Sequence, residues 1–206
     1  MVAGRTNDTH TAALELGGHE GEDIPVMVYT NGDCAELFLN GDSMGIRCKD
    51  PKSAKSTERY RLLWDKVPYA PGSVKAVAYK EGVVIGEKMI WTAGIATKLK
   101  LTTDRKLIHA NGDDLAYIMV EALDADGNLC PLADNLITFS VGGPAQIEAV
   151  GNGDPQSLEP FIANQRKLFF GKAMLIIRSH DALSGEIVIR ASSADIKESM
   201  IIIQSK

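Results

Sequence analysis

The side chains best placed for chemistry in this sequence are the aspartates of four Asn-Gly-Asp triplets, which could bind a metal ion or form turns. An EF-hand calcium loop needs acidic or amide residues at positions 1, 3 and 5, Gly at position 6 and Glu at position 12, and none of the triplets fits that frame. Asn and Gly tolerate the positive φ angles of a two-residue hairpin turn. The sequence therefore predicts turns for the first three triplets and leaves the fourth open; the triplets begin at Asn31, Asn40, Asn111 and Asn152.

The remaining polar residues give no catalytic or metal-binding pattern. Ser179, His180 and Asp181 are contiguous, whereas the members of a nucleophilic triad come together from separate segments. No pair of carboxylates is marked as one buried acid and one ionised base. The histidines lack the HExxH spacing and other ligand spacings; they are His10, His19, His109 and His180. We therefore predict no catalytic residue, no cofactor and no metal site in this chain.

The three cysteines are too few and too scattered for a disulfide framework. Cys34 and Cys48 flank the Asn40-Gly41 turn, and their pairing depends on its length. A two-residue turn places Cys34 opposite Arg47, whereas a three-residue loop places it opposite Cys48. Asn-Gly favours the two-residue turn. We expect these two cysteines to be free thiols.

Composition limits the kinds of partner. The chain has 206 residues and a net charge of −5, which gives no reason to expect a nucleic-acid partner. No run of about 18 apolar residues is present, so we expect no insertion into a membrane. The first ten residues lack the apolar core of a signal peptide. The route of export is therefore not readable from the sequence.

Short strands dominate the sequence, and helical periodicity is weak. Segments such as 73–80, 83–91 and 115–123 are rich in apolar and β-branched residues and are bounded by Gly, Pro or Asn. Strands recur at intervals of about 8 to 20 residues, which is typical of β-sandwiches. Trp64 alternates with Leu62 and is expected to be buried. We predict an all-β chain with a flexible segment at 1–18, one β-sandwich at 19–94 and a second at 95–206.

Several motifs resemble the C-terminal region of bacterial glycoside hydrolase family 2 enzymes, the β-galactosidase group. The resemblance runs from about Gly18 to the end, and its motifs occur in the order of the family. They are IPVMVYTNGDCAELFLNGDSMG (24–45), YAPGSVKAVAYKEG (69–82), TAGIATKLKLTTDR (92–105), ALDADGNLCPLADNLITFSVGGPAQIEAVGNGDPQSLEPF (122–161) and RKLFFGKAMLIIRS (166–179).

The resemblance implies two tandem immunoglobulin-like β-sandwiches that follow a catalytic barrel. The two catalytic glutamates of the family lie in that barrel, which this sequence does not contain. The expected function is thus a non-catalytic accessory part whose partner is the barrel, with a periplasmic or extracellular location if the parent enzyme is exported. Two alternatives stay open: a carbohydrate-binding module, and an immunoglobulin-like adhesion or spacer unit of a surface protein.

One long segment, 151–161, is the candidate site. It gathers polar residues around two prolines that restrict its backbone, and long loops in compact sandwiches are usually functional or tied down. Its polar side chains could satisfy the backbone of the loop itself, as Asn and Asp often do. Alternatively, the loop contacts the missing catalytic part or its glycan. The residues predicted for such a contact are Asn152, Asp154, Ser157 and Glu159.

Overall fold

The computed structural model describes residues 20–206. The predicted flexible segment 1–18, together with His10 and His19, lies outside that range. The chain forms two compact units, of which the first ends at Thr92 and the second runs from Ala93 to Lys206. Within the described range, strands account for nearly all regular structure, and the one helix there has five residues. The all-β prediction is confirmed. No helix of the described part is long and apolar enough to cross a membrane.

The first unit consists of two antiparallel sheets. One sheet pairs β1 with β4, and the other has the order β3-β2-β5-β6. A short helix, α1, precedes β4. The elements are β1 (Asp23–Val28), β2 (Cys34–Leu39), β3 (Asp42–Cys48), α1 (Ser56–Tyr60), β4 (Leu62–Pro68), β5 (Ser73–Lys80) and β6 (Val83–Trp91).

Both sheets of the first unit contribute alternate residues to one core. Leu37 on β2 and Val28 on β1 are fully buried, and Trp64 on β4 is 2% exposed, as predicted. The indole nitrogen of Trp64 donates a hydrogen bond to the Gly45 carbonyl oxygen at 3.1 Å. This bond satisfies the only polar atom of a buried tryptophan side chain.

The turn between β2 and β3 has the predicted two residues. Asn40 and Gly41 have φ angles of 51° and 94°, as a type I′ hairpin turn requires. The Asn40 side chain also holds the neighbouring loop, because its Oδ1 accepts a hydrogen bond from the Ser73 amide at 2.7 Å. This Asn-Gly-Asp triplet is therefore a turn.

The expectation of two free thiols is wrong, because Cys34 and Cys48 form a disulfide. The turn gives the expected register at first, with Phe38 opposite Ser43, but a β-bulge lies between Phe38 and Glu36. One residue on β2 faces two on β3 there, so the register shifts by one. Cys34 consequently lies opposite Cys48 rather than Arg47. Cys130 is buried and takes no part in this disulfide.

The second unit is built from nine strands. Eight form a continuous path, β11-β13-β9-β7-β15-β14-β10-β12, and the short β8 pairs with β15. The strands are β7 (Lys98–Thr103), β8 (Leu107–Ile108), β9 (Leu115–Leu123), β10 (Leu136–Gly142), β11 (Ala145–Gly151), β12 (Gln165–Lys167), β13 (Lys172–Ser179), β14 (Gly185–Ser193) and β15 (Ile196–Ser205).

The path bends into a sandwich where β7 and β15 meet in parallel. One core contains residues from both halves of the path, such as Ile118 and Leu175 from one half and Phe139 and Ile189 from the other. Strict alternation of buried and half-buried residues along β13 shows that one face of the strand lines this core. Loops connect the strands at the ends of the sandwich, and the longest of these loops contains the candidate site.

Candidate functional site

The four predicted site residues lie in the loop between β11 and β12, which we call the 152–164 loop. β11 begins the strand path of the second unit and β12 ends it, so the loop connects the two halves of the sandwich. Its first turn follows from the sequence, because Gly153 has a φ of 78° and Asn152 Oδ1 accepts a hydrogen bond from the Asp154 amide at 3.0 Å. The fourth triplet thus begins with a turn as well.

Sequence reasoning missed the residue around which the loop is organised. Arg166 lies on β12 opposite Ile137, and it is 1% exposed. Its Nη2 donates to Asn152 Oδ1 at 3.0 Å, and its Nη1 donates to the Glu159 carbonyl oxygen at 2.9 Å. Its Nε lies 3.6 Å from Glu159 Oε2 in an ion pair. A buried guanidinium therefore joins the start of the loop to its middle.

Most carboxylate and hydroxyl groups of the loop form hydrogen bonds with other residues of the loop or with β12. Glu159 Oε1 accepts from the Lys167 amide at 3.1 Å, and Glu159 Oε2 accepts from Ser157 Oγ at 3.2 Å. Asp154 Oδ1 accepts from the Gln156 amide at 2.9 Å. These bonds are those expected of side chains that satisfy the backbone of their own loop. They fix the loop in one conformation.

Three apolar side chains of the fixed loop remain in solvent. Leu158 is 99% exposed, Ile162 is 89% exposed and Phe161 is 65% exposed. The Phe161 ring lies 5.3 Å from the Arg166 guanidinium carbon, in a cation–π contact that orients the ring. We call Leu158, Phe161 and Ile162 the apolar rim. Exposed apolar side chains that are grouped in this way on one loop are a feature of interaction sites.

The one buried aspartate of the described chain is structural. Burial alone would raise the pKa of Asp124, but hydrogen bonds from the Gly94 amide and from Asn128 lower it below its usual value. Gly94 and Asn128 donate at 2.9 and 2.8 Å respectively. The charged form is thereby favoured, whereas a catalytic acid needs a raised pKa. Asp124 holds the start of the second unit against the turn after β9.

The other sequence candidates do not converge. Asn111 Oδ1 accepts from the amides of Asp113 and Asp114 at 3.0 and 2.8 Å, which makes the third triplet a turn. Ser179 is buried, whereas Asp181 is exposed. Across residues 20–206, no group of three or more His, Cys, Asp or Glu side chains could hold a metal ion. The 152–164 loop is therefore the candidate site that combines order with an exposed apolar surface.

Two family models match this chain. Residues 99–202 match the glycoside hydrolase family 2 C-terminal domain 5, and residues 21–86 match a domain of unknown function, DUF4982. A β-galactosidase of Bacteroides ovatus is 38% identical over 187 residues, which make up 90% of this chain and 21% of that protein. The chain spans about a fifth of the length of the curated relatives it matches.

Solved structures agree with these matches. A glycosyl hydrolase family 2 member from Bacteroides cellulosilyticus is 39% identical with a TM-score of 0.87, over 94% of this chain and 24% of that one. A β-glycosidase from Bacteroides vulgatus is 28% identical with a TM-score of 0.85, over 94% of this chain and 24% of that one. The chain therefore belongs to glycoside hydrolase family 2, and residues 99–202 match the model of a C-terminal domain of that family.

Proposed function

We propose that this chain is a non-catalytic C-terminal part of a β-galactosidase-like glycosidase, and that its second unit docks on the catalytic barrel. The observation that carries the proposal is the apolar rim of the 152–164 loop. Leu158 and Ile162 are almost fully exposed on a backbone that Arg166 and Glu159 hold in place. An ordered loop with exposed apolar side chains loses little conformational entropy on binding, so most of the burial energy contributes to affinity.

The polar residues predicted at the site have a supporting role in this proposal. Asn152 and Glu159 hold Arg166, and Asp154 and Ser157 shape the turns that lead to the apolar rim. Glycan binding by these four side chains is less well supported, because their acceptor atoms are mostly occupied within the chain. Docking through apolar contacts instead uses the side chains of the apolar rim, which remain exposed.

A chimeric enzyme tests the proposal. The region of the Bacteroides ovatus β-galactosidase that matches this chain is replaced by the chain itself, which is 38% identical to it. We expect the double variant Leu158→Ser/Ile162→Ser to lower the melting temperature and activity of the chimera while the isolated chain keeps its own melting temperature. Each buried side chain of this size contributes about 1.5 to 3 kcal/mol.

A matched control uses exposed leucines of the second unit outside the loop. Leu132 and Leu183 are 66% and 54% exposed, and Leu132→Ser/Leu183→Ser also removes two exposed apolar side chains, although each is less exposed than Leu158 or Ile162. We expect the control chimera to match the unmodified one. A chimera whose stability and kinetics are the same with either double variant would contradict docking through the loop.

A further inference from the structure

A cleft in the first unit has the chemistry of a ligand site. It has a volume of about 390 Å³ and lies beside α1, between the end of β3 and the outer face of the β1–β4 pair. Residues at alternate positions of a strand share a face, so Leu63 and Asp65 of β4 point outward while Leu62 and Trp64 point to the core. Met27 pairs with Leu63 and continues this outer face. Met27 and Leu63 therefore give the cleft an apolar patch, with Asp65 on the same face.

The charges around the cleft do not cancel. Lys55 and Glu58 line it and pair with each other at 3.1 Å, and Ser53 donates to Glu58 as well, so that this bond and Lys55 lower the pKa of Glu58. Of the other charged residues that line the cleft, Arg47 and Arg61 are positive and Asp65 is negative. Neither Arg47 nor Arg61 has a carboxylate within 4.0 Å among the residues that the structure describes. The cleft is thus locally cationic on a chain whose net charge is −5.

Two contacts hold the Arg61 side chain, but most of its N–H donors make no hydrogen bond with the residues that the structure describes. One of its terminal nitrogens, Nη1, lies 3.3 Å from the hydroxyl oxygen of Tyr29 and 3.4 Å from the sulfur of Met27. A guanidinium carries five N–H donors, so most of them remain for a ligand. Tyr29, whose hydroxyl contacts Arg61, does not line the cleft itself but is 41% exposed. A fixed guanidinium next to an exposed ring suits a ligand that has both a planar anion and a flat apolar surface.

We propose that this cleft binds a saccharide that carries a carboxylate group. Arg61 and Arg47 contact the carboxylate, since a guanidinium matches its two oxygens in a bidentate pair. Tyr29 packs against a pyranose face, and Asp65 accepts hydrogen bonds from the sugar hydroxyls. Carboxylate recognition distinguishes this site from the apolar rim, and binding here does not depend on docking of the second unit.

Calorimetric titration of the 206-residue chain tests the site with trigalacturonate, a neutral trisaccharide of equal length (maltotriose) and acetate. We expect trigalacturonate to bind, maltotriose to bind at least tenfold more weakly and acetate to compete only weakly. Arg61→Gln and Arg47→Gln should each weaken trigalacturonate binding about tenfold, because a hydrogen bond to a charged group contributes about that factor. Raised salt should weaken binding as well.

The matched control is Lys66→Gln, which removes one positive charge from β4 outside the cleft. It should leave the affinity for trigalacturonate unchanged, and circular dichroism should show that all three variants are folded. Absence of trigalacturonate binding, equal binding of maltotriose, full competition by acetate, or an effect of Lys66→Gln equal to that of Arg61→Gln would each overturn the proposal.

Discussion

Arg166 in the second unit and Arg61 in the first unit are the same type of residue in opposite situations. Arg166 is almost fully buried, and the guanidinium is used by Asn152 and Glu159. Arg61 is half-buried, and one terminal nitrogen has partners. The two arginines differ in how many of their donors are already used within the chain, and this difference, rather than the residue type, separates a structural arginine from one that we propose to bind a ligand.

Replacement of Arg166 is the largest change that tests this comparison. Arg166→Met should lower the free energy of unfolding of the second unit by about 3 kcal/mol, because it leaves Glu159 without its buried partner. Arg61→Met is the matched control and should change stability by less than about 0.5 kcal/mol. Calorimetry of the chain should resolve the two units as separate transitions. Equal effects of the two substitutions would remove the distinction between the arginines.

The Cys34–Cys48 disulfide constrains the first unit covalently, whereas polar contacts of the buried Arg166 constrain the second unit. Cys34 and Cys48 are 14 residues apart, and closing a loop of that size stabilises a protein by about 2 to 3 kcal/mol. Cys34→Ser/Cys48→Ser should therefore lower the melting temperature of the first unit alone. Thiol titration of the denatured wild-type chain should find one thiol, from Cys130. Three thiols without reductant would contradict the pairing.

Asp124 should make the second unit sensitive to acid. Its pKa is lowered in the folded state by the Gly94 and Asn128 hydrogen bonds, against burial, which raises it. Its stabilising contribution is therefore complete above the unfolded value of about 3.8 to 3.9 and is lost as the pH falls through the folded pKa. Asp124→Asn should flatten the pH dependence of the second unit below about pH 4. An unchanged pH dependence would show that Asp124 is not the source of the acid sensitivity.

The smallest effect is expected at a third arginine, Arg178, which is half-buried. Arg178 Nε and Nη2 donate to the two oxygens of Glu148 at 2.8 and 2.7 Å, and both side chains are about one-third exposed. Water and salt screen such a pair, so Glu148→Gln should cost far less than Arg166→Met and nothing measurable at high salt. Urea unfolding at two salt concentrations measures this. A loss of stability that does not depend on salt would show that Arg178 behaves like the buried Arg166.

Strand positions could be predicted well where local pattern decides them. The strands at 73–80, 83–91 and 115–123 have the bounds read from the sequence. The apolar stretch 168–170 resembles a strand in the sequence, but Phe170 and Gly171 have φ angles of 49° and 71° and form a turn before β13. Apolar residues next to a glycine gave no signal that distinguishes such a turn from a strand.

The features that sequence reasoning missed depend on contacts between distant residues. The Cys34–Cys48 disulfide requires a bulge that the pairing of two strands creates. The inward position of Arg166 is set by its partner Ile137 on β10, and nothing in its own neighbourhood marks it as buried. Asn152 and Glu159 could be assigned to one loop from the sequence, but the guanidinium between them could not.

The most direct test of the central claim is a hydrolysis assay of the rigorously purified 206-residue chain. We propose that catalysis belongs to a barrel outside this chain, so nitrophenyl β-galactoside should not be hydrolysed above the rate of the buffer. A chimera that carries the Bacteroides ovatus catalytic part serves as the positive control. Turnover by the chain alone, abolished when one of its own carboxylates is replaced by an amide, would contradict the claim that this chain is a non-catalytic part of the enzyme.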